Sequence, residues 1–160
     1  MSHAVREAGP GDLFPLVPLV EGFHAETDVQ PSRPVAAVLD RLLRDPSVGR
    51  VGVVEDAERV IAYVAVGFGF SLEFGGRDGF VDELYVAPEA RRSGIGRALL
   101  TWAIAEAEGA WSLGALHLEV DRRDQRARDF YAALGFETRT RYMLMSRRAT
   151  RPEERNGKRP

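Results

Sequence analysis

The segment RRSGIGRALL, which begins at Arg91, combines glycines and arginines in a pattern that suits phosphate groups. Gly94 and Gly96 have no Cβ atom, so the backbone N–H groups of this turn can approach a ligand closely. A helix that begins here adds unpaired N–H groups and a partial positive charge at its N-terminus. Arg91, Arg92 and Arg97 flank the turn, and their guanidinium groups suit a diphosphate. Taken alone, two glycines with this spacing more often form a tight turn that binds nothing.

Other phosphate and cofactor chemistries are disfavoured by what the sequence lacks. The dinucleotide-binding fingerprint requires a third glycine three residues after the second, where this chain has Leu99. Lys158 is the only lysine, so an ATP-binding phosphate loop and a Schiff-base lysine in the core are both excluded. Cysteine is absent, which excludes disulfides, thiolate nucleophiles and sulfur-ligated metals. The three histidines, His3, His24 and His117, are too separated to indicate a metal site.

The hydrophobic pattern predicts one α/β domain in the element order βααβββαβαβ, which would position these residues. The predicted strands cover residues 4–7, 50–55, 59–70, 80–86, 115–120 and 136–145. The predicted helices cover residues 12–26 and 32–46, the segment after Gly96, and residues 125–134. The strand–helix–strand unit over residues 80–120 should be a right-handed parallel crossover.

Glycines and prolines predict where these elements are irregular. Pro18 should bend or delay the first helix, because proline has no N–H to donate to the preceding turn. Gly135 should end the last helix. Gly67 and Gly69 in a predicted strand suggest a bulge or a close approach of two backbones.

Adjacent acids, Asp82 and Glu83, occupy the strand that precedes the glycine turn. Alternation along a regular strand places Asp82 with Leu84 and Val86 on one face, and Glu83 with Tyr85 on the other. Only one of the two acids can then face a cleft, unless a bulge intervenes.

Two separated motifs resemble the GNAT superfamily of N-acetyltransferases. The run LYVAPEARRSGIGRALL is similar to the segment with which that family binds acetyl-coenzyme A. The family pattern is Arg/Gln-x-x-Gly-x-Gly/Ala after a strand that ends in Leu-x-Val. This chain matches the pattern at Leu84, Val86, Arg91, Gly94 and Gly96. The run LEVDRRDQRARDFYAALGF resembles the family's later strand–helix segment, and VREAGPGDLFPLV resembles its opening. The resemblance covers about residues 4 to 147.

The resemblance implies a single-domain GNAT-like α/β fold over residues 1–147, followed by a basic, disordered tail at residues 148–160. The sheet is expected to be mixed and mostly antiparallel, with a splayed parallel strand pair and flanking helices. It also implies acetyl-CoA as cosubstrate and no metal. The pyrophosphate would lie on the amides of residues 92–97, and the pantetheine arm would pair with the backbone of Leu84 and Val86.

The cofactor-binding residues that the resemblance implies are Leu84, Tyr85, Val86, Arg91, Arg92, Ser93, Gly94, Ile95, Gly96, Arg97, Asp124 and Tyr131. Two of them depart from the family pattern. Arg92 stands where the family often has glycine, which adds a charge near the phosphates. Asp124 stands where it often has asparagine, and a carboxylate cannot donate the hydrogen bonds of an amide.

The chemistry implied is direct attack of an amine on the thioester in a ternary complex. The amine must first lose a proton, and the oxyanion needs donors, for which the Val86 amide is a candidate. Tyr131 is the predicted acid, because many family members place a tyrosine there against the thioester sulfur. The base stays open between Glu119, as in ribosomal-protein alanine acetyltransferases, and Asp82 or Glu83, as in diamine acetyltransferases. A water relay to any of these carboxylates would also serve.

The acceptor is predicted from charge. Acids in segments expected to border the cleft favour a small cationic amine; they are Glu73, Asp78, Asp82, Glu83, Glu119 and Asp121. Glu119 with Tyr131 favours a peptide or protein amine instead, and a non-catalytic acyl-CoA sensor is the remaining alternative. His117 could join a relay with Glu119, and His24 lies near the expected acceptor pocket, although a structural role is the simpler interpretation of both.

Partners and location follow from coarser features. No apolar run approaches the about 20 residues that span a bilayer, and the N-terminus lacks a signal-peptide pattern, so we expect a cytoplasmic protein. Residues 148–160 contain five basic and two acidic residues but no aromatic residue, which makes nucleic-acid binding an unfavoured interpretation. Because GNAT proteins are often dimers, a homodimer is expected.

Overall fold

A computed structural model describes residues 3–149, within which the chain forms five strands and four helices. The strands are β1 (Val5–Glu7), β2 (Gly49–Asp56), β3 (Arg59–Ser71), β4 (Gly76–Val86) and β5 (Leu116–Leu118). The helices are α1 (Leu13–Thr27), α2 (Val35–Arg44), α3 (Ile95–Glu108) and α4 (Gln125–Ala132).

The strands form one sheet in the order β1-β2-β3-β4-β5. The first three pairings are antiparallel, and β4 and β5 pair in parallel through the crossover helix α3. This arrangement confirms the predicted mixed, mostly antiparallel sheet with one parallel pair.

Both faces of the sheet are covered, and β3 is buried on both sides. Val64 and Val66 belong to the apolar cluster beneath α3, which also contains Leu99. Tyr63 and Ala65, which alternate with them and face the opposite side, belong to the cluster beneath α1 and α2 together with Leu16. A strand covered on both faces has a continuous apolar sequence instead of an alternating one, as residues 60–66 do.

The irregular positions only partly follow the sequence predictions. Pro18 lies inside α1, and that helix begins at Leu13, so its start is not delayed. Gly135 has a φ of 90°, and Phe136 N–H donates to Tyr131 O across it, which ends α4 as predicted. Gly67 and Gly69 mark no bulge in β3, since the bulge of the β3–β4 ladder lies in β4.

The predicted last strand at residues 136–145 was wrong. The chain there forms a turn and irregular structure. β5 covers only three residues, Leu116–Leu118, which is shorter than the predicted 115–120 and offers little edge for another strand. Arg139 instead pairs with Glu73 at 2.8 Å and lies 4.7 Å from the centre of the Tyr142 ring. Most of the predicted tail, residues 148–160, lies outside the described part of the chain.

Within residues 3–149, no helix combines the length and the apolar character needed to cross a membrane.

Gly49 in β2 generates a stability prediction, because a Cβ atom there would lie 2.3 Å from Val66 O and 2.8 Å from Leu42 Cδ1. Gly49→Ala should therefore lower the free energy of unfolding by about 1–3 kcal/mol, measured by urea denaturation. Its cross-strand partner Gly67 has no heavy atom within 4 Å of the same position, so Gly67→Ala is the matched control. Equal stability of the two variants would contradict the predicted clash.

Candidate active site

The parallel pairing of β4 and β5 stops early. It joins Gly79 to Leu116, Phe80 to His117, and Val81 to Leu118. β4 then continues to Val86 with β3 as its only strand neighbour in the described chain. Residues 84–86 therefore expose one backbone edge beside an open gap. This is the edge along which the pantetheine arm is predicted to pair.

A bulge in β4 lies at the point where the two strands part. Ala65 on β3 is opposite Glu83 and Val66 is opposite Val81, which leaves Asp82 as the extra residue. After the bulge the predicted alternation holds: Glu83 and Tyr85 lie on the α1 side of the sheet, whereas Leu84 and Val86 pack against the apolar cluster beneath α3. The bulge interrupts the pattern at Asp82, which has no partner on β3 and lies beside the gap.

Asp82 has a raised pKa, and the causes identify its neighbours. Desolvation of the carboxyl by the surrounding chain is the largest cause, although the residue as a whole is exposed, followed by the negative charge of Glu83, with a further contribution from Glu119. A positive charge on His24 would act in the opposite direction. Asp82, Glu83 and Glu119, which we call the acid cluster, therefore lie close enough to influence one another at the mouth of the gap.

Glu83 is held from two sides. Its Oε1 lies 2.6 Å from His24 Nε2 on α1, and its Oε2 accepts a hydrogen bond of 2.5 Å from the Tyr63 hydroxyl on β3. Tyr63 is buried, and burial followed by the Glu83 charge raises the pKa of its phenol strongly. The phenol therefore stays protonated and donates.

A parallel contact links α1 to the glycine turn. Tyr85 donates to Glu26 Oε1 at 2.8 Å, and Arg91 donates to both oxygens of Glu26 at 2.8 Å. Arg91 Nε also donates to Val86 O at 2.9 Å. The predicted phosphate ligand Arg91 thus lies against a carboxylate in this structure. Gly22 permits the contact, because a Cβ atom there would lie 2.9 Å from the Tyr85 hydroxyl oxygen.

The glycine turn leaves its amides available. Arg92 and Gly94 adopt left-handed φ values of 63° and 87°, a conformation that favours glycine at position 94. α3 begins at Ile95, and Ala98 is the first residue whose N–H bonds back to Gly94 O. Within residues 3–149, no backbone oxygen accepts from the N–H groups of residues 92–97. The turn thus presents the unpaired donors that the sequence predicts for a pyrophosphate.

The α4 residues take two different roles. Asp124 caps the helix by accepting from Ala127 N–H at 2.9 Å, so its carboxylate has a structural function. Tyr131 is half-buried against Phe130 and Phe136, and burial, then the charge of Asp124, raises the pKa of its phenol. Tyr131 therefore remains protonated over the neutral pH range, as a proton donor requires.

Tyr131, Glu119 and His117 line one open groove of about 1130 Å³ beside β5, whereas Asp82 and Glu83 do not line it. The predicted relay between His117 and Glu119 is not formed in the described chain. His117 Nε2 lies 3.6 Å from Asp78 Oδ2.

Other acids predicted to border the cleft are neutralised locally. Glu73 pairs with Arg139, and Asp121 pairs with Arg123 at 2.7 Å. The Arg123 guanidinium, together with the Arg123 N–H, lowers the pKa of Asp121 to about 2. No group of three or more His, Asp or Glu side chains in residues 3–149 is arranged to hold a metal ion.

Tyr63 and Glu26 are site residues that the sequence did not single out, and His24 was placed near the acceptor pocket without a partner. The contacts His24–Glu83 and Glu26–Tyr85 each join residues 59 positions apart. Only Gly22, a glycine inside an apolar helix, could have signalled a close approach of α1 to another element.

Asp82 generates a prediction on pH and stability. Because its pKa is raised, the folded protein binds this proton more tightly than the unfolded chain does. The free energy of unfolding should therefore fall as the pH rises from about 4, the pKa of the unfolded chain, through the pKa of the folded state. Asp82→Asn should therefore melt at a higher temperature than wild type at neutral pH, and the difference should shrink in acid. Asp56→Asn, at an exposed position at the end of β2, is the control and should show no such pattern. A difference that grows in acid would contradict the prediction.

The chain resembles proteins of known family and structure. The family described as Acetyltransferase (GNAT) family matches residues 18–136. An integron cassette protein, HFX_CASS3, from the mobile metagenome of Cole Harbour Salt Marsh is 30% identical, with a TM-score of 0.79 over 92% of this chain and 91% of that one. A protein from Arthrobacter sp. FB24 assigned to the acetyltransferases is 27% identical, with a TM-score of 0.75 over 92% and 96% of the two chains.

A more distant neighbour shares the fold. The ribosomal-protein-alanine N-acetyltransferase of Brucella melitensis biovar Abortus 2308 is 21% identical, with a TM-score of 0.71 over 91% of this chain and 99% of that one. No curated protein matches the sequence. Because the family match covers most of the chain and agrees with the splayed strand pair and the open glycine turn, the protein belongs to the GNAT family of acetyltransferases.

Proposed function

We propose that the protein transfers the acetyl group of acetyl-CoA to the nitrogen of a small, cationic primary amine. The transfer is direct, within a ternary complex of enzyme, acetyl-CoA and amine. The observation that carries this proposal is the acid cluster at the point where β4 and β5 part, next to the free edge of β4. An ammonium ion is the group that three neighbouring carboxylates attract, and the free edge suits the donor's pantetheine arm.

Acetyl-CoA would bind along the free edge and the glycine turn. The unpaired N–H groups of residues 92–97 support the pyrophosphate, and Arg92 and Arg97 flank them. The pantetheine amides would pair with the backbone of Leu84–Val86, as an added strand does. Arg91 would reach the phosphates only by leaving Glu26. Asp124 caps α4 and would contribute to the cofactor site through the position of Tyr131.

Asp82 is the base that these contacts favour. A carboxyl whose pKa is raised accepts a proton more readily near neutral pH, and Asp82 is the acid-cluster member with a raised pKa. Glu83 has both oxygens engaged by His24 and Tyr63. Glu119, which is exposed as Asp82 is, lies on the β5 side of the gap, one residue beyond the end of that strand.

The nitrogen must lose two protons, and the sulfur must gain one. The ammonium first gives a proton to Asp82, and the free amine attacks the thioester carbon. The tetrahedral oxyanion is stabilised by backbone N–H groups near Val86. As the C–S bond breaks, the nitrogen gives its second proton to solvent and the Tyr131 hydroxyl donates a hydrogen bond to the departing thiolate. The thiolate then takes a proton from solvent, which leaves an amide and coenzyme A.

A peptide or protein amine is the second candidate acceptor. It is favoured by the open groove of about 1130 Å³ beside β5 that Tyr131 and Glu119 share, because a volume of this size can receive several residues of a peptide. Glu119 would then act as the base. The two acceptor classes are distinguished by turnover.

The test is release of free thiol from acetyl-CoA with a panel of linear diamines, neutral-tailed monoamines and short peptides. We expect the highest kcat/KM for diamines, at least about tenfold above monoamines of equal length, because a second cation gains from the acid cluster. Preference for peptides would select the second acceptor class. If coenzyme A raises the melting temperature but no acceptor releases free thiol from acetyl-CoA, the proposed catalysis is contradicted and a sensor role is supported.

Tyr131→Phe tests the acid. The substitution keeps the ring packing and removes the hydroxyl, so kcat should fall about 100-fold, with little change in the KM for acetyl-CoA. Phe136→Leu, which alters packing against Tyr131 but keeps the hydroxyl, should cause a much smaller loss. An unchanged kcat in Tyr131→Phe, with the melting temperature preserved, would show that the acid is elsewhere.

A further inference from the structure

We propose that His24 is a positioning residue: together with Tyr63 it holds Glu83 as a fixed anion that pairs with the acceptor's ammonium group beside Asp82. This inference rests on the amine acetylation proposed above and specifies how the acceptor is held. It also assigns the two adjacent acids different tasks. Glu83 binds the charge, and Asp82 takes the proton.

The first support is the geometry around the carboxylate. Glu83 is only 15% exposed, and each of its oxygens has a partner from a different element, α1 on one side and β3 on the other. Hydrogen bonds to the ionised form stabilise the charge of a carboxylate. Two donors fix its orientation, yet a carboxylate has about four lone-pair sites, so sites for an ammonium remain.

The second support is the position of the protons on His24. An ionised carboxylate only accepts, so Nε2 must carry the proton that lies between His24 and Glu83. Nδ1 is buried and has no hydrogen-bond partner among residues 3–149. A second proton on Nδ1 would leave a buried donor unpaired, which is unfavourable. The contacts therefore favour a neutral ring that donates to Glu83, and the pair carries one negative charge.

Protonation of His24 would cancel that charge. The ionisable groups near the pair are Tyr63 on β3, which donates to Glu83, and Asp82 on β4, the next residue along the chain. Tyr85, whose ring centre lies 6.3 Å from that of Tyr63, leads on to Glu26 and Arg91, and Glu119 acts on Asp82 from the β5 side. A ring protonated on both nitrogens would leave the acceptor's ammonium group without a net negative partner. His24 should therefore affect the KM for the acceptor, and its pH dependence, more than kcat.

The experiment compares His24→Leu and His24→Gln in steady-state kinetics with a cationic amine from about pH 5.5 to about pH 8.5, the range in which histidine titrates. His24→Leu removes the hydrogen-bond donor to Glu83. The KM for the acceptor should then rise about tenfold at neutral pH, because a hydrogen bond to a charged group is lost. The kcat should stay within about threefold of the wild-type value. His24→Gln supplies an N–H that does not titrate. This variant should bring the KM for the acceptor back close to the wild-type value, and the KM should rise less at acidic pH than it does in wild type.

Thr27→Ala is the matched control, because it removes another side-chain hydrogen bond of α1, from the Thr27 hydroxyl to Phe23 O, that does not involve Glu83. It should leave the pH dependence of the acceptor KM unchanged. If His24→Leu has the wild-type KM and pH profile, the inference is wrong although amine acetylation stands. If both His24 variants lose kcat and melting temperature equally, His24 is merely structural and the inference is also wrong.

Nitrogen-15 NMR of the His24 ring provides a readout that does not depend on turnover. We expect the Nε2-protonated tautomer at neutral pH in wild type, and a changed tautomer balance in Glu83→Gln. A ring protonated on Nδ1 alone would overturn the assignment. If the wild-type protein acetylates no amine at all, the proposed function fails first, and the inference fails with it.

Discussion

The early end of the β4–β5 pairing is the constraint on which the rest of the site depends. Three residue pairs join the strands, after which β4 continues for five residues with no strand of the described chain on its β5 side. The open backbone edge of those residues suits an extended ligand. The bulge at Asp82 lies directly at the point of divergence, so a carboxylate is placed where the two strands open. A β5 that paired with the whole of β4 would remove both features together.

Helix α1 connects the two halves of this site. His24 contacts Glu83 beside the gap, and Glu26 contacts Arg91 at the start of the glycine turn. The exposed Arg91–Glu26 pair is only weakly stabilising, since solvent screens it. The Glu83 contacts are less exposed. Under the proposed function, the same helix would therefore offer a replaceable link to the turn that binds the donor's phosphates and a more enclosed link to the acceptor side.

The sequence predicted the parts of the fold that depend on local pattern. The glycine turn, the crossover helix and the end of α4 at Gly135 follow from spacing and backbone preference. The bulge at Asp82 did not, because neither glycine nor proline marks it and only pairing with β3 reveals it. His24 was not assigned a contact because its partner lies 59 residues away. The prediction of a last strand was wrong because the sequence pattern does not show that β5 is only three residues long and offers little edge for another strand.

The raised pKa of Tyr131 limits what this residue can do as an acid. A thiol with a pKa of about 8.5 is more acidic than a tyrosine of about 10, and burial raises the Tyr131 value further. Complete proton transfer from the phenol to the thiolate is therefore uphill by at least about 2 kcal/mol. Under the proposed function, Tyr131 acts by donating a hydrogen bond to the developing thiolate, and the proton that coenzyme A finally carries comes from solvent. Asp82 differs, because its raised pKa brings it closer to neutral pH and improves it as a base.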